Sequence, residues 1–234
     1  MPDFSQRSEK EELMDDLLCQ GEVIDQTLRE LEVINKWLGG NHVTINGIRQ
    51  LVNDNNGQLT VADLGCGGGD ILKLLAQWAR KQKKNLKLIG IDANPHIIDF
   101  AKRNCSDYPE IQFQITDIFS EEFKSHQYDI ITSTLYTHHF TDTQIIGLYK
   151  RWLHKSRLGI VVNDLHRHWF AYYSIKLITS LFSKSPMVKN DAALSVERSF
   201  IKKDLTLILH KAGTQNYFLK WMWAFRWQLI IRNK

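Results

Sequence analysis

Short apolar segments alternate with amphipathic segments between residues 59 and 165, and this alternation restricts the chain to few folds. Each apolar segment has the length of a buried β-strand, and the segments between them carry apolar residues at helical spacing. This order is typical of a parallel sheet covered by helices on both faces. The predicted strands are Leu59–Leu64, Leu86–Ile91, Ile111–Ile115, Asp129–Ser133 and Gly159–Asn163, with helices at about 69–82, 95–104 and 142–155.

Two further strand-like segments, rich in tryptophan and phenylalanine, lie between Asn216 and Ile231. We expect them to form a hairpin that closes the sheet. The predicted fold class is therefore α/β: a doubly wound, mostly parallel, seven-stranded sheet with helices on both faces. A helical arm at the amino terminus precedes it.

The arm shows helical periodicity without strand-like segments. Apolar residues at near-helical spacing predict a helix over residues 9–38, interrupted at Gly21 and ended by Gly39 and Gly40. A shorter helix is predicted from Thr44, as its N-cap, to Val52, and the polar residues 53–57 predict a loop. We therefore expect an arm or lid at residues 1–56 and the α/β domain at residues 57–234.

Composition disfavours several classes of protein. The three cysteines are scattered and show no metal-ligand spacing, which favours a reducing compartment and predicts no metal site. The polar amino terminus and the lack of an apolar run of roughly 18 residues lead us to expect a soluble, cytoplasmic protein. The net charge of +4 comes from basic clusters typical of solvated helix ends, so nucleic acid is not expected as a partner.

A glycine-rich turn follows the first predicted strand, at the sheet edge where such folds bind ligands. Gly65 and Gly67 lack a Cβ atom, so the backbone can turn sharply and approach a ligand closely. Asp63 places a carboxylate beside this turn. Asp92 ends the second strand, where an acidic side chain can accept hydrogen bonds from both hydroxyls of a ribose.

This turn alone fits two kinds of cofactor, because dinucleotide-binding enzymes also use glycine-rich turns. Asp70 stands where the dinucleotide pattern has Gly or Ala. Carboxylates beside the glycines would repel a pyrophosphate, but they suit a sulfonium and a cationic amino group. Asp92 also follows the turn at a greater distance than the roughly 20 residues usual in dinucleotide folds.

The order Asp63-x-Gly65-x-Gly67-x-Gly69 followed by Asp92 resembles the class I S-adenosylmethionine-dependent methyltransferase family over about residues 59–165. The resemblance implies S-adenosylmethionine as the cofactor, with Gly65 and Gly67 near its methionine part and Asp92 on its ribose. It further implies adenine contacts from Ala93, Asp117 and Ile118, and contacts to the methionine end from Ser133 or Thr134.

The acceptor side is less constrained. The fourth strand ends in Ser133-Thr134-Leu135-Tyr136 and lacks the Pro-Pro-aromatic pattern of amino-directed nucleic-acid members of the family. His139 and His166 lie in the loops after the fourth and fifth strands, where an imidazole could take a proton from a phenol or enol. We name both as candidate catalytic residues. The alternative for each histidine is that it packs within its loop. The rate of methyl transfer would then depend on how the acceptor is positioned and less on a general base.

The segment Trp169–Phe182 predicts a helix that is apolar around much of its circumference. Three interpretations stay open for it: packing on the core, a lid over an aromatic or polyketide-like acceptor, and transient contact with a membrane surface.

The stretches 35–40, 163–168 and 196–200 resemble a bacterial, UbiE-like subgroup of small-molecule methyltransferases associated with quinone or polyketide tailoring. This implies methyl transfer to an oxygen or carbon of a small, largely apolar acceptor that is quinone-, phenol- or polyketide-like. Two alternatives are kept: a cofactor-binding regulator without turnover, and an NAD-type oxidoreductase, which Asp63 and Asp70 oppose. The oligomeric state does not follow from the sequence.

Overall fold

One mixed β-sheet organises the computed structural model, which describes residues 2–52 and 57–233. Within these residues seven strands pair in the order β3-β2-β1-β4-β5-β7-β6. The strands are β1 (Leu59–Leu64), β2 (Leu86–Asp92), β3 (Ile111–Ile115), β4 (Tyr128–Thr134), β5 (Ser156–Leu165), β6 (Tyr217–Met222) and β7 (Arg226–Arg232).

The first five strands run parallel, and the carboxy-terminal hairpin closes the sheet. β1 pairs with β2 on one side and with β4 on the other, so the strand order reverses at β1. β7 is antiparallel to both β5 and β6. The predicted strands, the hairpin and the α/β fold class are confirmed.

Helices cover the sheet and its carboxyl edge. The α-helices of the described residues are α1 (Glu22–Trp37), α2 (Gly40–Val52), α3 (Asp70–Gln82), α4 (Pro95–Asn104), α5 (Glu121–Lys124), α6 (Asp142–Lys155), α7 (Trp169–Phe182), α8 (Pro186–Arg198) and α9 (Lys202–Lys211). Among the same residues, no helix is both long and apolar enough to cross a membrane.

Two apolar cores lie on opposite faces of the sheet, because successive strand residues point to opposite sides. On one face Val61 and Val161 pack with residues of α2, α3 and α4. On the other face Ala62 and Ile131 pack with α6 and α9, including the buried Trp152. This burial on both faces explains why the parallel strands are continuous apolar runs.

The prediction of a long helix over residues 9–38 is wrong for its first half. α1 begins only at Glu22, after Gly21 with φ +76°. Before it lies a single 3₁₀ turn, Leu13–Asp15, whose first two amides donate to the Asp191 carboxylate at 2.9 and 3.0 Å. A side chain from a distant helix therefore satisfies backbone groups that a helix would have paired locally.

The predicted second helix starts earlier than expected. α1 ends at Trp37 and Gly39 has φ +69°, as the predicted stop requires, but Gly40 already begins α2. α2 packs on the sheet: a Cβ at Gly47 would lie 2.6 Å from a methyl of Val161, so only glycine allows this approach. Residues 53–56 of the predicted loop 53–57, where the domain boundary was expected, lie outside the described residues.

Candidate functional site

A cavity of about 1420 Å³ opens at the carboxyl ends of β1, β2, β3 and β4. The loops after these strands line one side, as expected where strand order reverses. Residues of the amino-terminal arm, α7 and α8 line the other sides. The loops of the parallel sheet therefore form one part of the cavity wall, and the amino-terminal arm, α7 and α8 form the rest.

The glycine-rich turn forms one wall of this cavity. Gly65 has φ +67° and Gly67 has φ +51°, both in the left-handed region that favours glycine. A Cβ on Gly65 would overlap the ring of Tyr136, which lies directly against the turn. Both glycines line the cavity, so the backbone is exposed to a ligand there.

Asp63 places a buried carboxylate at the base of the turn. Its side chain is 2% exposed, lines the cavity, and has an oxygen, Oδ1, without a hydrogen-bond partner. Burial, with Asp70 and Asp92 nearby, raises the pKa of Asp63. A buried acceptor without a donor is costly, and a cationic ligand group entering the cavity would remove that cost. Asp70 differs, since Lys73 Nζ lies 3.4 Å from its carboxylate.

Asp92 and Ala93 follow β2 and line the same cavity. The Asp92 carboxylate accepts from the Asn94 amide at 3.0 Å and interacts with the amides of Gly67 and Ala93. Burial raises the pKa of Asp92, while these amides oppose the shift. Its orientation is therefore held by the backbone of two neighbouring loops.

The residues after β3 separate into one that faces the cavity and one that does not. Asp117 lines the cavity, and its carboxylate accepts from the Phe119 amide at 2.8 Å. Ile118 is 2% exposed and packs in the core with Phe123, so its side chain is not brought to the site. Phe119 lines the cavity in its place, in edge contact with Phe140.

The end of β4 divides in the same way. Thr134 lines the cavity, and its hydroxyl lies 2.7 Å from that of Thr44 on α2. Ser133 is buried and donates to the Leu64 carbonyl at 3.2 Å, which joins β4 to β1. Its side chain is outside the cavity lining, so the structure brings Thr134, and not Ser133, to the site.

A buried ionic network stands at the end of the cavity formed by the arm. His138 Nδ1 lies 2.7 Å from the Asp164 carboxylate, and its Nε2 lies 3.4 Å from Glu12. Burial opposes the charged imidazole, but the two carboxylates outweigh it and raise the pKa of His138 to about 9. The same pairing lowers the pKa of Asp164 to about 2, against its burial.

His139 belongs to a second pair beside this network. Its Nδ1 lies 2.5 Å from Asp15, whose other oxygen accepts from Arg198 at 2.7 Å. Despite partial burial, the bond to His139 lowers the pKa of Asp15. His139 lines the cavity and keeps part of its imidazole exposed. Asp15 therefore orients a ring that a ligand can reach.

Three possible metal ligands also meet here. Glu12, His138 and His139 each place a ligand atom within 4.8 Å of the others, although their spacing in sequence predicts no metal site. Arg198 Nε lies 3.6 Å from the same Glu12 oxygen, and Asp15 takes His139 Nδ1. Because a guanidinium already supplies positive charge to Glu12, we interpret the cluster as an attachment of the arm.

His166, the second candidate catalytic residue, lies outside the cavity lining. Its Nδ1 accepts from the Trp221 indole at 3.1 Å, and its ring packs against Trp227 of the hairpin. Burial, with His168 nearby, lowers the pKa of His166 to about 4. The ring is held on the hairpin side of β5 because β7 pairs along the whole carboxyl half of that strand.

Sequence reasoning did not select Glu12, Asp15, Asp164 or Arg198. Asp164 directly follows the predicted strand Gly159–Asn163, at the edge where the site is expected, and this position could have marked it as a site residue. Glu12, Asp15 and Arg198 are brought in by segments far apart in sequence, and no local pattern connects them. The position of Tyr136 after the fourth strand could have marked it as a site residue, and in the structure its ring lies against Gly65.

Known methyltransferases are similar to this chain in sequence and in fold. A family model described as "Methyltransferase domain" matches residues 55–213. The ubiquinone/menaquinone biosynthesis C-methyltransferase UbiE of Campylobacter jejuni is 23% identical over 167 residues, which are 66% of this chain and 70% of that protein.

Two solved structures share the architecture. Human N-acetylserotonin methyltransferase, in complex with SAM, has a TM-score of 0.64 at 17% identity, over 90% of this chain and 55% of that chain. The plantazolicin methyltransferase BamL, in complex with a triazolic desmethylPZN analogue and SAH, has a TM-score of 0.64 at 15% identity, over 89% of this chain and 90% of that chain. At these identities the likeness concerns the fold.

The His138–Asp164 pair predicts a pH-dependent stability. Because the pKa of His138 is raised above its usual 6.5, its stabilising proton is fully bound below about pH 6.5 and is lost as pH rises through about 9. Asp164→Asn removes the charge that holds this proton. The wild type should be more stable than the variant at pH 6. This difference in the free energy of unfolding should be roughly 1–3 kcal/mol larger at pH 6 than at pH 9.5.

Urea unfolding across this pH range measures the difference. Asp107→Asn, at an exposed position away from the network, serves as the control and should show no such pH dependence. A wild-type advantage over Asp164→Asn that stays constant from pH 6 to pH 9.5 would show that the pair is not ionised as described.

Proposed function

The chain belongs to the methyltransferase-domain family, and from this premise we propose that it transfers the methyl group of S-adenosylmethionine to an oxygen or carbon of a small, largely apolar acceptor. One observation carries the proposal. The carboxylates and glycines at the ends of β1 and β2 share a single cavity with the apolar walls of α7 and α8. Donor and acceptor can therefore meet without a conformational change of the sheet.

The donor side of the cavity suits this sulfonium compound. The Asp63 carboxylate, with its unpaired oxygen, would accept from the cationic amino group of the methionine part. Asp92 would accept from the ribose hydroxyls, while Asp117, Ala93 and the ring of Phe119 surround the adenine. Bound in this way, the compound supplies an electrophilic methyl group on sulfur.

The acceptor side is mainly apolar. Phe170, Ile175 and Ile178 of α7 line it, together with Val188 and Val196 of α8. Such a wall fits an aromatic, quinone-like or polyketide-like acceptor better than a charged polymer. The similarity to a ubiquinone/menaquinone biosynthesis C-methyltransferase supports an acceptor of this kind.

His139 is the general base of this proposal. It lies in the cavity wall next to the end of β4, and Asp15 orients its ring and would stabilise the imidazolium that forms on accepting a proton. His138 is less suited, because it is fully buried and already holds its proton. His166 has no contact with the cavity, so we assign it to packing of the hairpin.

The amino-terminal segment acts as a lid. Glu12 and Asp15 attach it to His138, His139 and Arg198, and residues of both this segment and α1 line the cavity. A closed lid excludes water from the methyl group during transfer. α2 is different, because its packing on the sheet makes it part of the core.

Donor binding should depend on Asp92. Asp92→Ala removes the acceptor of the ribose hydroxyls, and the dissociation constant for S-adenosylmethionine should rise about ten- to a hundred-fold. Calorimetry with S-adenosylmethionine, S-adenosylhomocysteine and NAD measures this, with Asp107→Ala as the control outside the cavity. Tight NAD binding without a response to either adenosyl compound would refute the proposed function and favour an oxidoreductase.

Methyl transfer should depend on His139 more than donor binding does. His139→Ala should lower kcat by roughly 10²- to 10⁴-fold and leave the dissociation constant for the donor within about a factor of three. Release of S-adenosylhomocysteine in a panel of phenols and quinols gives the rate, and His166→Ala is the matched histidine control. An unchanged rate in His139→Ala would demote it to a residue that packs the loop. Donor binding without turnover on any acceptor would favour the regulator instead.

We further propose that α7 contacts an anionic membrane surface from which the acceptor is taken. While Ile175 and Ile178 face the cavity, Trp169, Leu177 and Phe182 are exposed. Residues 169–190 carry three lysines and no acidic residue, so the charge of this segment is complementary to acidic lipid headgroups. Glu30 of α1 approaches the end of α7, where its carboxylate accepts from Ser183 and Lys184.

Vesicle sedimentation tests this surface. The wild type should bind vesicles of phosphatidylcholine mixed with phosphatidylglycerol, and the double variant Leu177→Ser/Phe182→Ser should lose most of that binding. Leu207→Ser, at another exposed leucine that lies on α9, is the control. Equal binding by the double variant and the wild type would rule out α7 as the contact.

A further inference from the structure

Arg226, the first residue of β7, carries a buried charge into the cavity wall. Its side chain is 2% exposed, and the residue lines the cavity beside Asn35, Asn41 and Phe225. Neither the donor site nor the general base described above uses it. A buried guanidinium in the wall of a ligand cavity therefore needs its own explanation.

The guanidinium is held in place but only partly hydrogen-bonded. Nη2 donates to Asn35 Oδ1 at 2.8 Å, whereas Nε and Nη1 are buried without a partner. The group lies flat against Gly40 at the start of α2, where a Cβ would be 2.5 Å from Cζ. Asn35 accepts through its oxygen and also lines the cavity, and its side chain carries an NH₂ group that can act as a donor.

Arg226 also lacks a counterion. The other arginines that line the cavity are paired, Arg7 with Asp142 and Arg198 with Asp15. Over residues 2–52 and 57–233, no carboxylate lies within ion-pair distance of Arg226. Asp164 acts on it from further away, but that carboxylate is already committed to His138 and Thr137.

Two features of the surroundings favour an anion at this position. Burial lowers the pKa of Arg226 to about 10, so the group is still a cation at neutral pH. The first turn of α2, with its positive helix-dipole end, adjoins the guanidinium at Gly40. A buried cation beside the positive end of a helix destabilises the protein when no anion is bound. An anion that contacts both the guanidinium and the helix end would compensate this repulsion.

We propose that Arg226, assisted by Asn35 and the first turn of α2, binds a carboxylate that enters the cavity. Two sources supply this chemistry: the carboxylate of the methyl donor and an acidic group on the acceptor. The inference rests on the proposed function for these sources, but the site itself is defined by charge and geometry alone.

The experiment compares carboxylate probes with their uncharged or decarboxylated counterparts. S-adenosylhomocysteine is paired with its decarboxylated analogue by calorimetry, and benzoate with benzamide by the shift in unfolding midpoint at constant ionic strength. Arg226→Met removes the charge at similar volume, and Gly40→Ala keeps the charge but displaces the guanidinium. Arg232→Met, at the exposed end of the same strand, is the control.

Arg226→Met and Gly40→Ala should each weaken one carboxylate probe about tenfold or more, without changing the affinity for the matching probe that lacks the carboxylate. A loss confined to S-adenosylhomocysteine assigns the site to the donor, and a loss confined to benzoate assigns it to the acceptor. Because Arg226 is an unpaired buried charge, Arg226→Met should also be at least as stable as the wild type.

Wild-type affinity for both carboxylates in both variants would overturn the inference, and so would a destabilised Arg226→Met with unchanged binding. If Arg226→Met does not fold, Gly40→Ala decides alone. A wild type that fails to bind S-adenosylhomocysteine refutes the proposed function instead, while the benzoate measurements still decide the role of Arg226.

Discussion

The reversal of strand order at β1 is the constraint on which the rest of the structure depends. β2 and β3 extend the sheet to one side of β1, while β4 and β5 extend it to the other, so the connections leave the carboxyl edge in opposite directions. A crevice between the ends of β1 and β4 follows from this topology. The glycine turn, Asp92 and Thr134 meet there because each stands at the end of its strand.

The charges in the cavity are arranged in two groups with different partners. Asp63 and Asp92, at the sheet edge, are acids whose pKa values are raised by burial. Asp15 is paired with His139 and Arg198, and Asp164 with His138, and the pKa values of both acids are lowered. The first group therefore offers acceptors to a ligand in the cavity, while the second, together with Glu12, joins the amino-terminal segment to the loop after β4. Arg226 adds one unpaired positive charge between α2 and the hairpin.

The parts of this arrangement that the sequence predicts are those governed by local patterns. The apolar runs of β1 to β5 and the residues at their ends follow from burial on both faces and from strand direction, and the structure confirms these elements. Local patterns do not predict the non-helical segment before Gly21. Its amides at Leu13 and Met14 donate to Asp191 on α8, which is far away in the sequence. For the same reason the sequence does not reveal Glu12 and Asp15, whose partners lie on the loop after β4 and on α8. Loop position alone cannot distinguish His139, which reaches the cavity, from His166, which packs against the hairpin.

A crystal structure of the protein with S-adenosylhomocysteine is the most direct test of the proposed donor site, because it shows where the nucleoside lies. We predict both ribose hydroxyls within hydrogen-bond distance of Asp92, the amino group on Asp63, and the sulfur facing the part of the cavity that His139 and α7 enclose. A nucleoside bound elsewhere, or one in this cavity without contact to Asp92, would contradict it.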